Sequence, residues 1–204
     1  NKNDMHQTTS TNAPKWCSAN IMLSGSKMPS LEFNSNQYLV TKTNVTVTSF
    51  TIIVGIINKT STTMIIEHSE DSGANDGSRM YTGAAASWLV SRGGLYDSKD
   101  NPVGADWGIE NAYPQLWAHT YDGAHAKNRF LINNVDIVGT SNSTSAPEAT
   151  STSSKYYLGG RGTTPDLPMS GSIFCVAIYT PALPPFQTQK VVRYFADKFG
   201  VQCC

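Results

Sequence analysis

Charge is scarce in this chain. Only 15% of its 204 residues are Asp, Glu, Lys or Arg, against about 25% in an average soluble domain. The 15 basic and 15 acidic residues cancel, so no long-range field draws in nucleic acid or an anionic membrane, and neither is expected as a partner. No apolar run reaches the ~18 residues of a membrane span, which excludes membrane insertion by a helix. The opening Asn1-Lys-Asn-Asp-Met5 lacks the basic-then-apolar pattern of a signal peptide. The cysteines at 17, 175, 203 and 204 offer no paired C-x2-C clusters, which excludes a zinc site. G-x-S-x-G, H-E-x-x-H and the P-loop are all missing. Internal repeats and a convincing linker are missing too. One domain over 1–204 is expected, long enough for a sizeable core.

Ser, Thr and Asn take the place of charge, a surface that suits an extracellular or particle-borne β protein. Short segments rich in β-branched and alternating apolar residues follow one another: Leu31–Phe33, Tyr38–Thr41, Thr62–Glu67, Ser78–Thr82, Ser87–Ser91, Gln115–Tyr121 and Ser170–Thr180. Val45 to Ile57 is long enough for a central strand, with Gly55 marking a bulge or close packing. Gly93 to Pro114 has little periodicity, and Thr140 to Ser154 is a low-complexity Ser/Thr loop. Gln187 to Gly200 reads as a short amphipathic helix. Its apolar stripe is Val191, Tyr194, Phe195 and Phe199, and Gly200 stands where a helix ends. Many strands with turn signals and one terminal helix predict an all-β, two-sheet antiparallel sandwich.

Two blocks carry a resemblance. Trp117-Ala-His-Thr-Tyr-Asp-Gly123 is followed by Arg129-Phe-Leu-Ile-Asn-Asn-Val-Asp-Ile-Val138, and the strand Ser170–Thr180 is followed by the terminal helix. Asn3 to Trp16, Met28 to Leu39 and Tyr156-Tyr-Leu-Gly-Gly-Arg-Gly162 add weaker matches. In this order they resemble the concanavalin A-like lectin/glucanase superfamily, in its laminin-G-like branch. The resemblance implies a jelly roll with a short C-terminal helix, and a chain that begins inside the family pattern as a module of a longer polypeptide. Such domains are similar to those on phage and viral fibres, capsid decorations and bacterial surface proteins. The implied partners are glycans or cell-surface polysaccharide and other subunits of a larger assembly. The implied location is extracellular or on a virion surface.

An active site is hard to assemble. In Glu67-His-Ser-Glu-Asp71, strand alternation turns Glu67 and Glu70 to opposite faces. A retaining glycosidase needs two carboxyl groups about 5–5.5 Å apart. His6, His68, His119 and His125 are scattered, and His119 alternates with hairpin core positions. No catalytic residue is assigned. Cys175 lies on an apolar strand and is expected to be a buried thiol. Cys17, Cys203 and Cys204 fit free thiols or one disulfide joining the chain ends. Three N-x-[ST] sequons, at Asn44, Asn58 and Asn142, matter only in a glycosylating host.

Binding chemistry is easier to find. Asp71, Asn75 and Asp76 fall within six residues and offer oxygen ligands to sugar hydroxyls, or to a Ca2+ held by Asp71 and Asp76. The same residues also suit an ordinary turn. Trp88 and Trp107, with Tyr96, either supply aromatic faces for a sugar ring or fill the core, while Trp117 belongs to the core. The expected function is non-catalytic glycan or cell-surface recognition. Its rivals are a purely structural virion or appendage domain, and a glycoside hydrolase or polysaccharide lyase.

Overall fold

The computed structural model describes residues 5–23, 26–60, 62–69, 78–82, 88–92, 95–99, 113–122, 127–136, 153–160 and 167–203. Its strands are β1 (Met5–His6), β2 (Lys15–Leu23), β3 (Ser26–Phe33), β4 (Leu39–Thr41), β5 (Val45–Thr46), β6 (Phe50–Asn58), β7 (Thr63–Ser69) and β8 (Ser78–Thr82). They continue as β9 (Trp88–Arg92), β10 (Leu95–Lys99), β11 (Gln115–Asp122), β12 (Lys127–Ile132), β13 (Val135–Asp136), β14 (Ser153–Leu158) and β15 (Gly171–Tyr179). One helix, α1, covers Pro185–Phe199.

The strands form two antiparallel sheets, as expected. One runs β1-β4-β14-β7-β8-β9-β10, with β5 pairing with β14 beside this path; the other runs β13-β12-β11-β6-β15-β3-β2. Phe33, Phe50, Ile52, Val54, Trp117, Phe130, Tyr156 and Ile173 fill the space between them. Trp117 is fully buried and meets Phe130 edge to face at 5.4 Å. Its indole N–H donates to Gln115 Oε1 at 2.8 Å. A second apolar layer joins the outer face of the seven-stranded sheet to α1, through Ile53, Leu116, Leu131 and Phe174 against Val192, Ala196 and Phe199. Gly55 belongs to this layer's packing: a Cβ there would run into the Phe174 ring.

Several boundaries differ from the sequence reading. Val45–Ile57 is not one strand; β5 and β6 are separate, with Val47 buried between them. The sequence's Asn-Asn turn is present: Asn133 and Asn134 join β12 to β13, and both take positive φ, of 48° and 69°, as a tight type I′ hairpin requires. Asn133 ties this turn to β11, accepting from the Leu116 N–H at 2.8 Å and donating to the Leu116 carbonyl at 2.8 Å. β10 lies inside the stretch read as irregular, and β2 falls where no strand is predicted.

The helix is where expected, but its buried stripe is different. Thr188, Val192, Ala196 and Phe199 face the sheet, Val191 and Phe195 flank them half-buried, and Tyr194 is 60% exposed. The stripe follows the smaller residues Thr188 and Ala196 because they let the helix approach closely. Gly200 closes α1 in the left-handed region at φ 66°, where glycine costs nothing. Phe199→Ala should therefore cost about 3 kcal/mol, while Tyr194→Ala should stay within about 0.5 kcal/mol. Thermal or urea unfolding of the two variants checks the ranking.

Strand β3 pairs with β15 only across Gly171–Phe33, Ser172–Glu32 and Ile173–Leu31. Beyond that point Pro29 has no N–H to donate, and the register of β15 shifts between Ile173 and Cys175. Among the described residues, nothing pairs with the other edge of Cys175–Tyr179. Val176 and Ile178 are 37% and 38% exposed, although Val54 and Ile52 beside them on β6 are buried.

Candidate functional site

The β7–β8 hairpin frames residues 70–77, where the sequence places its acidic loop. Strand β7 carries Ile65 and Ile66 in succession, and both enter the inter-sheet core. A register shift between Met64 and Ile66 allows this; one extra residue resets the alternation. After it, Ile66 faces inward and Glu67 outward, and His68 turns back against the core residue Tyr156 with ring centroids 4.5 Å apart. Without the shift, Glu67 would face the apolar core.

On the outer face, three neighbouring strands align a polar row. Glu67 pairs in register with Tyr157 of β14 on one side and Arg79 of β8 on the other. Arg79 Nε lies 3.2 Å from Glu67 Oε1, and the two side chains are 8% and 0% exposed. Tyr157 is buried as well, although its neighbours Tyr156 and Leu158 are the ones that enter the core. Lys155, opposite Ser69, and Tyr81, opposite Met64, flank this row half-buried. A charged pair this well buried on the outward side of a sheet is not an ordinary solvated surface. Each member holds the other, since a lone buried charge costs several kcal/mol.

Asp71, Asn75, Asp76 and Trp107 lie outside the described residues, as do Glu70 and His125. Trp88 opens β9 opposite Thr82, whereas the 70–77 segment starts from the Ser69/Ser78 end. At ~3.4 Å per residue, Trp88 stands about 14 Å along the hairpin from that end. Sequence reasoning missed Arg79 and Tyr157. The alternation in Ser78-Arg-Met-Tyr-Thr82 already puts Arg79 and Tyr81 on one face, but only register brings Arg79 to Glu67.

The remaining titratable groups sit apart. His68 donates from Nε2 to the Val45 carbonyl at 2.8 Å. His119 is buried edge-on to Phe50, with centroids 5.0 Å apart. Cys17 and Cys175 are free thiols, and the Cys17 thiol points to Glu32 Oε2 at 3.6 Å. Cys175 is half-buried rather than buried. Burial pushes its pKa from 9.0 up to about 11, against the pull of the Lys198 charge. With the folded value raised, stability is intact below pH 9 and falls as pH climbs toward about 11. Cys175→Ala should lose less stability than the parent over that window in pH-dependent melting curves.

No family model and no curated protein matches the chain. Solved structures do. Domain 4 of AbnA, a GH43 extracellular arabinanase from Geobacillus stearothermophilus, in complex with arabinotriose, is 15% identical with a TM-score of 0.60; the match covers 88% of this chain and 81% of that one. The heptameric SAP-like pentraxin of Limulus polyphemus is 14% identical with a TM-score of 0.58, over 79% and 80% of the two chains. The CBM40 of the Ruminococcus gnavus IT-sialidase bound to α2,3-sialyllactose is 14% identical with a TM-score of 0.58, over 80% and 96%. At these identities the likeness establishes the lectin-like sandwich fold.

Proposed function

We propose that this chain is a non-catalytic glycan-recognition module of a secreted or particle-borne protein, and that its ligand meets the outer face of the eight-stranded sheet at the β7–β8 hairpin. The carrying observation is that half-buried Lys155 and Tyr81 flank the row in which Glu67, Arg79 and Tyr157 stand in register, the buried pair holding the three strands beneath them. A rigid sheet positions these groups, as it does most loop-borne binding sites. Lys155 and Tyr81 add a donor and an aromatic edge at the rim, the mixture that sugar hydroxyls and ring faces call for. Asp71, Asn75 and Asp76, which follow β7 in the sequence, are proposed as further oxygen ligands, to sugar hydroxyls or to Ca2+. Two of the similar folds hold sugars in their own structures, which supports this use of the scaffold.

Catalysis is disfavoured because Glu67 is committed to Arg79 and has no exposed surface, whereas a general acid must reach its substrate. A glycan array with the intact chain should yield binders. Lys155→Ala and Tyr81→Ala should weaken them about tenfold in variants that circular dichroism shows to be folded. Binding that ignores both substitutions would reject the site, and reducing ends or unsaturated products released from bound polysaccharide would reject the non-catalytic reading. An array without binders, beside stable association with subunits of a larger assembly, would favour the purely structural role.

A further inference from the structure

The solvent face of α1 holds a second feature, on the opposite side of the sandwich from the β7–β8 hairpin. Phe186 and Tyr194 are 66% and 60% exposed, although exposed aromatics of this size are uncommon on a solvated helix. Lys190, Arg193 and Lys198 share that face and are exposed. None of the three has an acidic partner among the described residues, and Asp197 leaves Arg193 unpaired although it stands four residues along. Lys190 Nζ lies 4.4 Å over the Phe186 ring, and Lys198 Nζ lies 5.9 Å from the Tyr194 centroid. Two of the three cations are therefore held by rings instead of carboxylates, with their charge available to a ligand. In a chain whose formal charge is zero, this face carries three cations against one anion.

We infer that this face binds an anionic polysaccharide, one bearing carboxylate or sulfate groups. Charge complementarity selects an anion. The stripe from residue 186 to residue 198 follows an inclined i, i+4 row about 18 Å long along the helix, which suits a linear chain lying across that face. Phe186 and Tyr194 offer ring edges and faces to the sugar C–H surfaces between charged groups. A lipid bilayer fits less well, because two apolar side chains about 12 Å apart are too few to seat a helix in an interface. The site is separate from the β7–β8 surface.

The test uses the intact chain with heparin and polygalacturonate as probes, and dextran, polyglutamate and phosphatidylserine vesicles as comparisons. Both anionic polysaccharides should bind, with affinity falling as salt rises, and dextran should not. Lys190→Glu/Arg193→Glu should weaken binding about tenfold or more, and Phe186→Ser by a smaller factor. These residues are exposed, so the melting temperature should hold. Lys155→Ala and Tyr81→Ala should leave heparin binding unchanged, which separates this inference from the proposed function. Equal binding to polyglutamate or to the vesicles would overturn it, as would heparin binding insensitive to the double substitution or no heparin binding at all.

Discussion

Arg79→Ala should destabilise the domain by about 3–5 kcal/mol. Its loss leaves the Glu67 carboxylate, fully buried, without the guanidinium 3.2 Å away. Glu67→Leu/Arg79→Met should be far milder than Arg79→Ala, because replacing both members of a buried pair with apolar side chains is often neutral. Urea unfolding of the parent and the single and double variants closes the cycle. A double variant as unstable as Arg79→Ala would mean that the pair is not the source of the loss.

Trp117→Ala should be comparably severe, at about 3–5 kcal/mol. The indole is fully buried between the sheets. It packs edge to face on Phe130, and its N–H donation to Gln115 fixes the ring. Removal opens a cavity where β11 and β12 meet the core. For a domain of this size the melting temperature should fall by about 10 °C or more. Trp117→Phe should recover part of the loss, since it refills volume without the N–H. Calorimetry on both variants measures the two contributions.

The sheets and the helix were legible because β-branched runs and the 3.6 period are local signals. Register was not, and much of the chemistry depends on it. Glu67 reads as a strand carboxylate with a mis-spaced neighbour. Only the shift between Met64 and Ile66 and the alignment of β14, β7 and β8 reveal what lies beside it. The helix phase failed for a related reason. The largest apolar residues suggest a stripe through Tyr194, but close approach to the sheet favours Thr188 and Ala196, and Tyr194 is left to solvent. Strand β2, Lys15–Leu23, mixes polar and apolar residues without alternation, so nothing local announces it. The acidic segment holding Asp71, Asn75 and Asp76 stands out by composition, and composition cannot tell whether such residues converge on a ligand.

The parting of β3 from β15 bears on how the isolated protein behaves in the tube. The backbone of Cys175–Tyr179 presents an unclaimed row of donors and acceptors among the described residues. Beside it Val176 and Ile178 stand partly in water, and Trp16 of β2, in the last row where β3 still pairs with β15, is 64% exposed. Sticky side chains next to a bare strand edge are a template for sheet growth between molecules. Raising the concentration is then expected to promote association of this chain, which light scattering across a dilution series checks. A charged residue in place of Ile178 is the simplest gatekeeper against precipitation, and it lies away from both surfaces assigned to ligands.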